Sequence, residues 1–278
     1  MSSIRLRSRT SEGLRALKPY LDEINDSIER PDYVASDPVQ FMHAFTEKKD
    51  IEIAGFLAAT MAWGRRDIVN QKVEELLSRI DFEPYRFVST YDRSEFSRFH
   101  GFRHRTFKPI DMHGLILALG EVYRRHADFE AFWRLCRNEA RDRSRPVFSI
   151  FRERFFGLSS DLAGRTRKHV SDPENGSPAK RLCMFLRWAC RPSSPVDPGI
   201  WSLFKPSELW IPLDVHVSRQ SRIFGLLTRK SNDWKAVQEL TETLRRLNPE
   251  DPSRYDYALF GLGALDYELP RRFILNRI

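Results

Sequence analysis

Cysteine is scarce in this chain of 278 residues, which has only Cys136, Cys183 and Cys190. Three cysteines make neither a framework of disulfides nor a metal site of four sulfur ligands. We interpret them as small apolar thiols in helices, which fits a reducing compartment. The sequence therefore predicts no bound metal and no cofactor.

Long apolar runs are also missing. No stretch of about 18 apolar residues occurs, so we expect no membrane span. The basic N-terminus has no apolar stretch of the kind that a secretory signal contains. We therefore expect a cytoplasmic protein.

Signals for β-strands and internal repeats are scarce as well, whereas amphipathic patterns of helical period are common. With 41% hydrophobic and 30% charged residues, the composition is that of a globular protein. The fold class predicted is all-α, with a polar loop at 161–177 and an irregular Pro- and Ser-rich connection at 191–210. Helices are predicted at 51–61, 67–80, 112–126, 129–141, 146–156, 179–190, 214–224, 233–247 and 255–265. We expect Asp111, Asn232 and Asp251 at the starts of three of them.

The length suits one large domain or two small ones. We expect residues 1–278 to form a single helical unit, in which two helical subdomains flank a cleft. The first subdomain is expected at 40–170, and the second part at 171–278.

Lysine is outnumbered by arginine, 10 to 36, and the net charge is +8 with a pI near 9.5. A basic balance favours a polyanionic partner, and arginine is the better forked donor to phosphate. Because GC-rich coding also raises arginine content, composition alone leaves nucleic-acid binding open.

The stretch IPLDVHVSR places Asp214 and His216 in an apolar run. A carboxylate at the head of a helix has a plain explanation, because it caps the free N–H groups there. The histidine alone indicates a core residue, and one Asp with one His makes no metal site.

The stretch GSPAKRL joins a turn at Gly176 to a helix start, where Pro178 suits the first turn. Free N–H groups in such a turn can hold phosphate. Lys180 opposes the helix dipole there, so it is either simply exposed or a nucleophile held near an anion. Arg181 does not become a neutral nucleophile.

Together these stretches resemble the helix-hairpin-helix–GPD DNA glycosylase superfamily, typified by endonuclease III. GSPAKRL is similar to its hairpin G-V-G-R-K-T-A, with Lys180 at the lysine position and Pro178 in place of the second glycine. PLDVHVSRQSRIFGL is similar to V-D-T-H-V-x-R-x-x-x-R-L-G-L. The positions that match there are Asp214, His216, Val217, Arg219, Gly225 and Leu226.

Two further segments carry the resemblance. YALFGLGAL (257–265) is similar to Q-A-L-M-D-L-G-A-L of the adenine-specific members, but no cysteine follows, so no iron–sulfur cluster is expected. FLAATMAWGRRDIVNQKV resembles a helix, loop and V-N-K segment of endonuclease III. The whole chain also looks like a bacterial family without an established function that carries DPGIW and PLD-x-H-V. Residues 81–170 have no counterpart in the superfamily.

The resemblance implies a glycosylase with AP-lyase activity that flips a damaged or mispaired base out of duplex DNA. Lys180 would attack C1′ and form a Schiff base, and Asp214 would stabilise the positive charge on the sugar. Trp63 would fill the gap in the stack, unless it is a core aromatic. Nucleic-acid contacts are implied for Trp63, Arg65, Arg66, Gly176, Ser177, Arg181 and Arg219, with His216 packed behind the site.

One departure is the spacing, because Lys180 and Asp214 are 34 residues apart, well beyond the usual separation in the superfamily. The surplus corresponds to the Pro-rich connection, and loops tolerate added length cheaply. Trp201 on that connection either pins the loop or stacks on a base, and pinning is favoured.

Two alternatives stay open: a non-catalytic nucleic-acid-binding protein on the same scaffold, or an enzyme of another class that reuses it. Duplex DNA is the expected partner of a monomer, and RNA is not excluded. The glycosylase interpretation requires Lys180 and Asp214 to face one cleft.

Overall fold

The computed structural model describes residues 6–158, 164–265, 267 and 269–276. These residues are mostly helical and contain no strand, so the all-α prediction is confirmed. The α-helices are α1 Ser11–Ile28, α2 Pro31–Val34, α3 Gln40–His43, α4 Lys48–Met61, α5 Arg66–Arg79, α6 Pro84–Thr90, α7 Pro109–Arg125, α8 Phe129–Asp142, α9 Val147–Gly157, α10 Lys180–Cys190, α11 Val215–Ile223, α12 Trp234–Arg245 and α13 Tyr255–Ala264. Each helix in this described part is too short or too polar to cross a bilayer.

Short 3-10 helices occupy several connections. They lie at Arg93–Phe99, Gly164–His169, Pro173–Asn175, Pro206–Glu208, Pro252–Arg254 and Arg271–Phe273. The polar loop predicted at 161–177 therefore contains two such turns, and its residues 161–163 lie outside the described part of the chain.

Three predicted helix starts are wrong by a few residues. Asp111 lies in the first turn of α7, where its carboxylate accepts from the Lys108 N–H at 2.9 Å. Asp233, not Asn232, caps α12 by accepting from the Ala236 N–H at 3.1 Å. Asp251 precedes a 3-10 turn and makes no side-chain cap. Several acidic or amide side chains near a helix start compete for the cap, and sequence does not rank them.

The core is built around aromatic side chains from four helices. Phe56 on α4 contacts Phe151 on α9 and Phe185 on α10 edge-on, with ring centroids 5.9 and 5.7 Å apart. Trp133 on α8 stacks on Phe151 at 3.9 Å. The segment without a counterpart in the resemblance, 81–170, thus supplies helices that pack directly beneath α4 and α10.

Helix α1 was not predicted, although its apolar period is legible at Leu14, Leu17 and Leu21. It packs against α13, and a methyl group added at Gly261 would lie 2.1 Å from the Cδ1 of Ile28 on α1. Helix α1 therefore packs on α13, which belongs to the predicted second part at 171–278.

Candidate active site

A cleft of about 1000 Å³ opens between the end of α4, the start of α10, the start of α11 and the length of α13. The candidate functional residues lie on all four of these helices or directly beside them. Those from the sequence analysis that line it are Trp63, Arg66, Ser177, Lys180, Arg181, Asp214 and His216.

Lys180 and Asp214 line this same cleft although 34 residues separate them. Lys180 is the first residue of α10, and Ala179 before it has φ 48°, in the left-handed region. Asp214 is the N-cap of α11, and its Oδ1 accepts from the Val217 N–H at 2.8 Å. The cap predicted for Asp214 is confirmed, and the cap leaves the carboxylate at the wall of the cleft.

The mouth of the cleft is apolar. Trp63 is 48% exposed, Val215 is 70% exposed and Leu265 is 58% exposed. Exposed apolar side chains that cluster around a cavity are typical of a binding surface. Because Trp63 follows the last turn of α4 and lies at the surface, it is not a core aromatic.

Two of the predicted phosphate ligands are bound within the protein. The Nη2 of Arg66 donates to the Tyr33 hydroxyl at 2.9 Å, and its guanidinium lies 5.0 Å from the Phe260 ring. Arg181 donates to the carbonyl of Thr60 near the end of α4, and burial lowers its pKa to about 10. Both arginines line the cleft, but their hydrogen bonds stabilise the helices around it.

The other residues predicted to contact nucleic acid lie at different distances from the cleft, and only Ser177 among them lines it. Arg65 is exposed outside the cleft lining and pairs with Asp67 at 2.6 Å. Gly176 is exposed with φ 81°, while the Oγ of Ser177 beside it accepts from the Ala179 N–H at 3.2 Å. Arg219 is exposed one turn along α11 from Val215, on the same face of that helix.

The segment before Lys180 does not show a helix-hairpin-helix element. The 3-10 helix Pro173–Asn175 and a turn precede α10, and Pro178 lies before the helix rather than in its first turn. The pyrrolidine ring of proline fixes φ but not the direction of the chain. Pro178 is therefore compatible both with a position before the helix and with a position in its first turn.

His216 packs between α11 and α13. One ring nitrogen, Nδ1, bonds to the carbonyl of Gly263 at 2.9 Å, and the ring meets Phe260 edge-on at 5.5 Å. It fixes the distance between the two helices that form this wall of the cleft.

His169, which the sequence analysis did not select, also lines the cleft. Its ring stacks on Phe107 at 3.6 Å, and its Nε2 lies 3.3 Å from the Oδ2 of buried Asp111. Burial lowers its pKa to about 4, so the imidazole is neutral at physiological pH.

Asp256, in the first turn of α13, is the main residue that sequence reasoning missed. It lines the cleft with a side chain 13% exposed, and it forms an ion pair with Arg187 of α10. Burial raises its pKa to about 7, and the charge of Asp214 acts in the same direction, whereas Arg187 and Lys180 oppose it.

Arg187 is shared with a second, fully buried carboxylate. Its Nε lies 3.4 Å from the Oδ1 of Asp197, and its Nη2 donates to the Tyr257 hydroxyl at 2.9 Å. Burial acts to raise the pKa of Asp197, but Arg187 and Arg191 outweigh it and the pKa is lowered. Arg187 therefore pairs with two carboxylates, those of Asp197 and Asp256.

A family model described as "Protein of unknown function (DUF2400)" matches residues 37–265. The chain belongs to this family. No curated protein and no solved structure matches it. In this DUF2400 chain the matched region contains Lys180, Asp214 and Asp256, so the cleft lies almost wholly within the part that defines the family.

Among the described residues of this DUF2400 chain, no group of three or more His, Cys, Asp or Glu side chains is arranged to hold a metal ion. The signal for Asp256 in the sequence was weak, because an acid in a first helical turn is ordinary. Its partner Arg187 is 69 residues away, and no local pattern joins the two.

Proposed function

We propose that the cleft is the active site of a DNA N-glycosylase with AP-lyase activity, which takes an extrahelical damaged or mispaired base. The observation that carries the proposal is that Lys180 and Asp214 line one cleft across 34 residues of sequence. Side chains on opposite faces of the molecule would have ruled out this chemistry.

The two residues have complementary roles. The amine of Lys180 forms a bond to C1′ of the sugar as the base departs, which leads to a Schiff base. Positive charge develops on the sugar during cleavage, and the carboxylate of Asp214 stabilises it. The N–H of Val217 donates to the Oδ1 of that carboxylate and fixes its position.

The shape of the cleft supports a flipped nucleotide as ligand. Its volume of about 1000 Å³ is at the upper end of small-molecule pockets, roughly 300–1000 Å³. Flipping costs a few kcal/mol, which is lower when the base is damaged. In this proposal Trp63, exposed at the cleft, fills the gap in the stack, and the exposed cations Lys168, in the cleft lining, and Arg219, on α11, contact phosphate.

A borohydride-trapping assay across a panel of duplexes with damaged bases, mismatches and abasic sites tests the proposal. The wild-type chain is expected to form a covalent adduct with at least one duplex, and Lys180→Gln is expected to form none. Asp214→Asn should retain the nucleophile but slow base release by about 10²-fold or more. Lys235→Gln, at an exposed lysine of α12 away from the cleft, is the matched control.

Two other outcomes of the assay would contradict the proposed glycosylase activity. Tight, salt-dependent DNA binding without an adduct on any duplex would instead support a non-catalytic nucleic-acid-binding protein. Absent or salt-insensitive binding would contradict both functions.

A further inference from the structure

Asp256 lines the same cleft as Lys180 and Asp214, but the proposed glycosylase chemistry does not use it. It faces the space lined by Lys180 and Asp214, and both charges act on it. Its ion pair with Arg187 uses Oδ2. A third ionisable side chain therefore lies beside the nucleophile and the charge-stabilising carboxylate.

Arg187 does not neutralise Asp256 on its own, because Arg187 belongs to an ion-pair network in which carboxylates outnumber guanidinium groups. Asp197, with a fully buried side chain, contacts both Arg187 and Arg191. Arg191 in turn lies 2.9 Å from Glu29 and 2.7 Å from Asp251. The network thus sets two guanidinium groups against four carboxylates, which are Glu29, Asp197, Asp251 and Asp256.

The carboxylate of this network that lines the cleft is Asp256. Burial and the neighbouring carboxylates raise the pKa of Asp256 to about 7. The titratable and charged groups that face it come from every neighbouring element: Arg187 and Lys180 on α10, Asp214 and His216 on α11, Asp197 on the connection, and Tyr33 with Arg66 on the opposite wall.

We infer that Asp256 is the proton-transfer group of this cleft, which takes a proton from Lys180 and passes it to the departing base. The inference rests on the proposed function. It gives the three side chains separate tasks: Lys180 bonds to the sugar, Asp214 stabilises the charge on the sugar, and Asp256 changes its protonation state. Two carboxylates in different surroundings commonly divide roles in this way.

The proton and the electron pairs balance through the step. The ammonium of Lys180 gives one proton to ionised Asp256 and becomes a neutral amine. The amine nitrogen forms a bond to C1′ while the bond from C1′ to the base nitrogen breaks, and the base leaves with that electron pair. Protonated Asp256 then gives its proton to the base, so the carboxylate returns to its starting form.

Asp214 is less suited to carry this proton. Its Oδ1 accepts the Val217 N–H at the start of α11, and protonation of the carboxyl would weaken that cap. Asp256 makes its bond to a side chain that has another carboxylate partner in Asp197, so Arg187 stays paired when Asp256 is neutral.

The test is the single-turnover rate of borohydride trapping as a function of pH, on a duplex whose damaged or mispaired base the wild type releases, for the wild type, Asp256→Asn and Asp256→Glu. The wild-type rate is expected to rise with pH through an inflection near the pKa of Asp256, because the ionised form accepts the proton. Asp256→Asn should be slower by about 10²-fold and lose the inflection. Asp256→Glu should recover part of the rate and the inflection. Asp26→Asn, which breaks a pair with Arg254 at 2.7 Å between two residues that do not line the cleft, is the control.

Two measurements separate this role from a structural one. Affinity for a non-cleavable abasic analogue and the circular dichroism spectrum should be the same for Asp256→Asn as for the wild type. An adduct with the wild type, but an unchanged rate and pH profile for Asp256→Asn, would overturn the role of Asp256 and leave the proposed function standing. No adduct with the wild type would overturn the proposed function, and this role with it.

Discussion

The indole Nε1 of Trp201 donates a hydrogen bond to the Oε1 of Glu52 at 2.7 Å, and both side chains are buried. The same carboxylate accepts from the Tyr123 hydroxyl at 2.9 Å and from the Phe129 N–H at 3.1 Å. A single side chain on α4 therefore anchors the irregular connection to the core. Trp201 pins the connection, as the sequence analysis favoured, and it does not lie in the cleft.

Trp201→Phe is expected to lower the free energy of unfolding by about 1–3 kcal/mol, because a buried carboxylate loses a donor. Urea denaturation with a fixed slope measures the change. Trp63→Phe, at an indole that is 48% exposed, is the control and should change stability by no more than about 0.5 kcal/mol. Equal losses in the two variants would show that the bond to Glu52 does not stabilise the connection.

Gly263→Ala is expected to separate α13 from α11. A methyl group there would lie 2.9 Å from the Cβ and 3.2 Å from the Nδ1 of His216, and neither atom is at the end of a flexible chain. Overpacking of this kind costs about 1–3 kcal/mol of stability. Thermal unfolding measures it, with Gly157→Ala as the control, since a methyl group at Gly157 meets no atom within 4 Å. If the two variants unfold at the same temperature, the contact between α11 and α13 is looser than described.

The free energy of unfolding should depend on pH through the protonation of Asp256. In the window between about pH 4, the pKa of an unfolded aspartate, and pH 7, the folded protein holds a proton that the unfolded chain has lost. The contribution of Asp256 to stability therefore falls as pH rises through this window. Buried His169, with a pKa lowered to about 4, acts in the opposite sense below about pH 6.5.

Because these contributions overlap, the measured quantity is the difference in free energy of unfolding between the wild type and Asp256→Asn. That difference should decrease from pH 4 to 7. A constant difference for Asp256→Asn would show that the carboxyl titrates in the folded protein as it does in the unfolded chain.

Sequence reasoning reached the helices through apolar period and the cap at Asp214 through residue type at a helix start, whereas the pairing of Lys180 with Asp214 came from the resemblance to the glycosylase superfamily. It missed α1, although Leu14, Leu17 and Leu21 carry the apolar period. It assigned Arg181 to phosphate, but α10 turns that side chain toward the Thr60 carbonyl. Asp256 was out of reach, since its environment is made by partners distant in sequence.

Trp63→Ala tests the mouth of the cleft. If Trp63 fills the gap left by a flipped base, its removal should weaken binding to a duplex with an abasic site by about tenfold or more, the value of one aromatic stacking contact. The salt dependence should not change, because no phosphate contact is lost. Phe82→Ala is matched in exposure, 49% against 48%, and lies away from the cleft. Equal affinities for the two variants would remove Trp63 from the binding surface.

Arg219→Gln tests the path of the phosphate backbone. Arg219 is exposed on α11, one turn from Val215 in the cleft lining, so we expect a strand that enters the cleft to pass over it. Loss of one phosphate contact should reduce the slope of log K against log salt by about 1 for all sequences alike. Arg86→Gln is the control, since Arg86 is 75% exposed on α6 and pairs with Glu83. A slope unchanged in Arg219→Gln but reduced in Arg86→Gln would move the nucleic-acid path from α11 to the opposite side of the molecule.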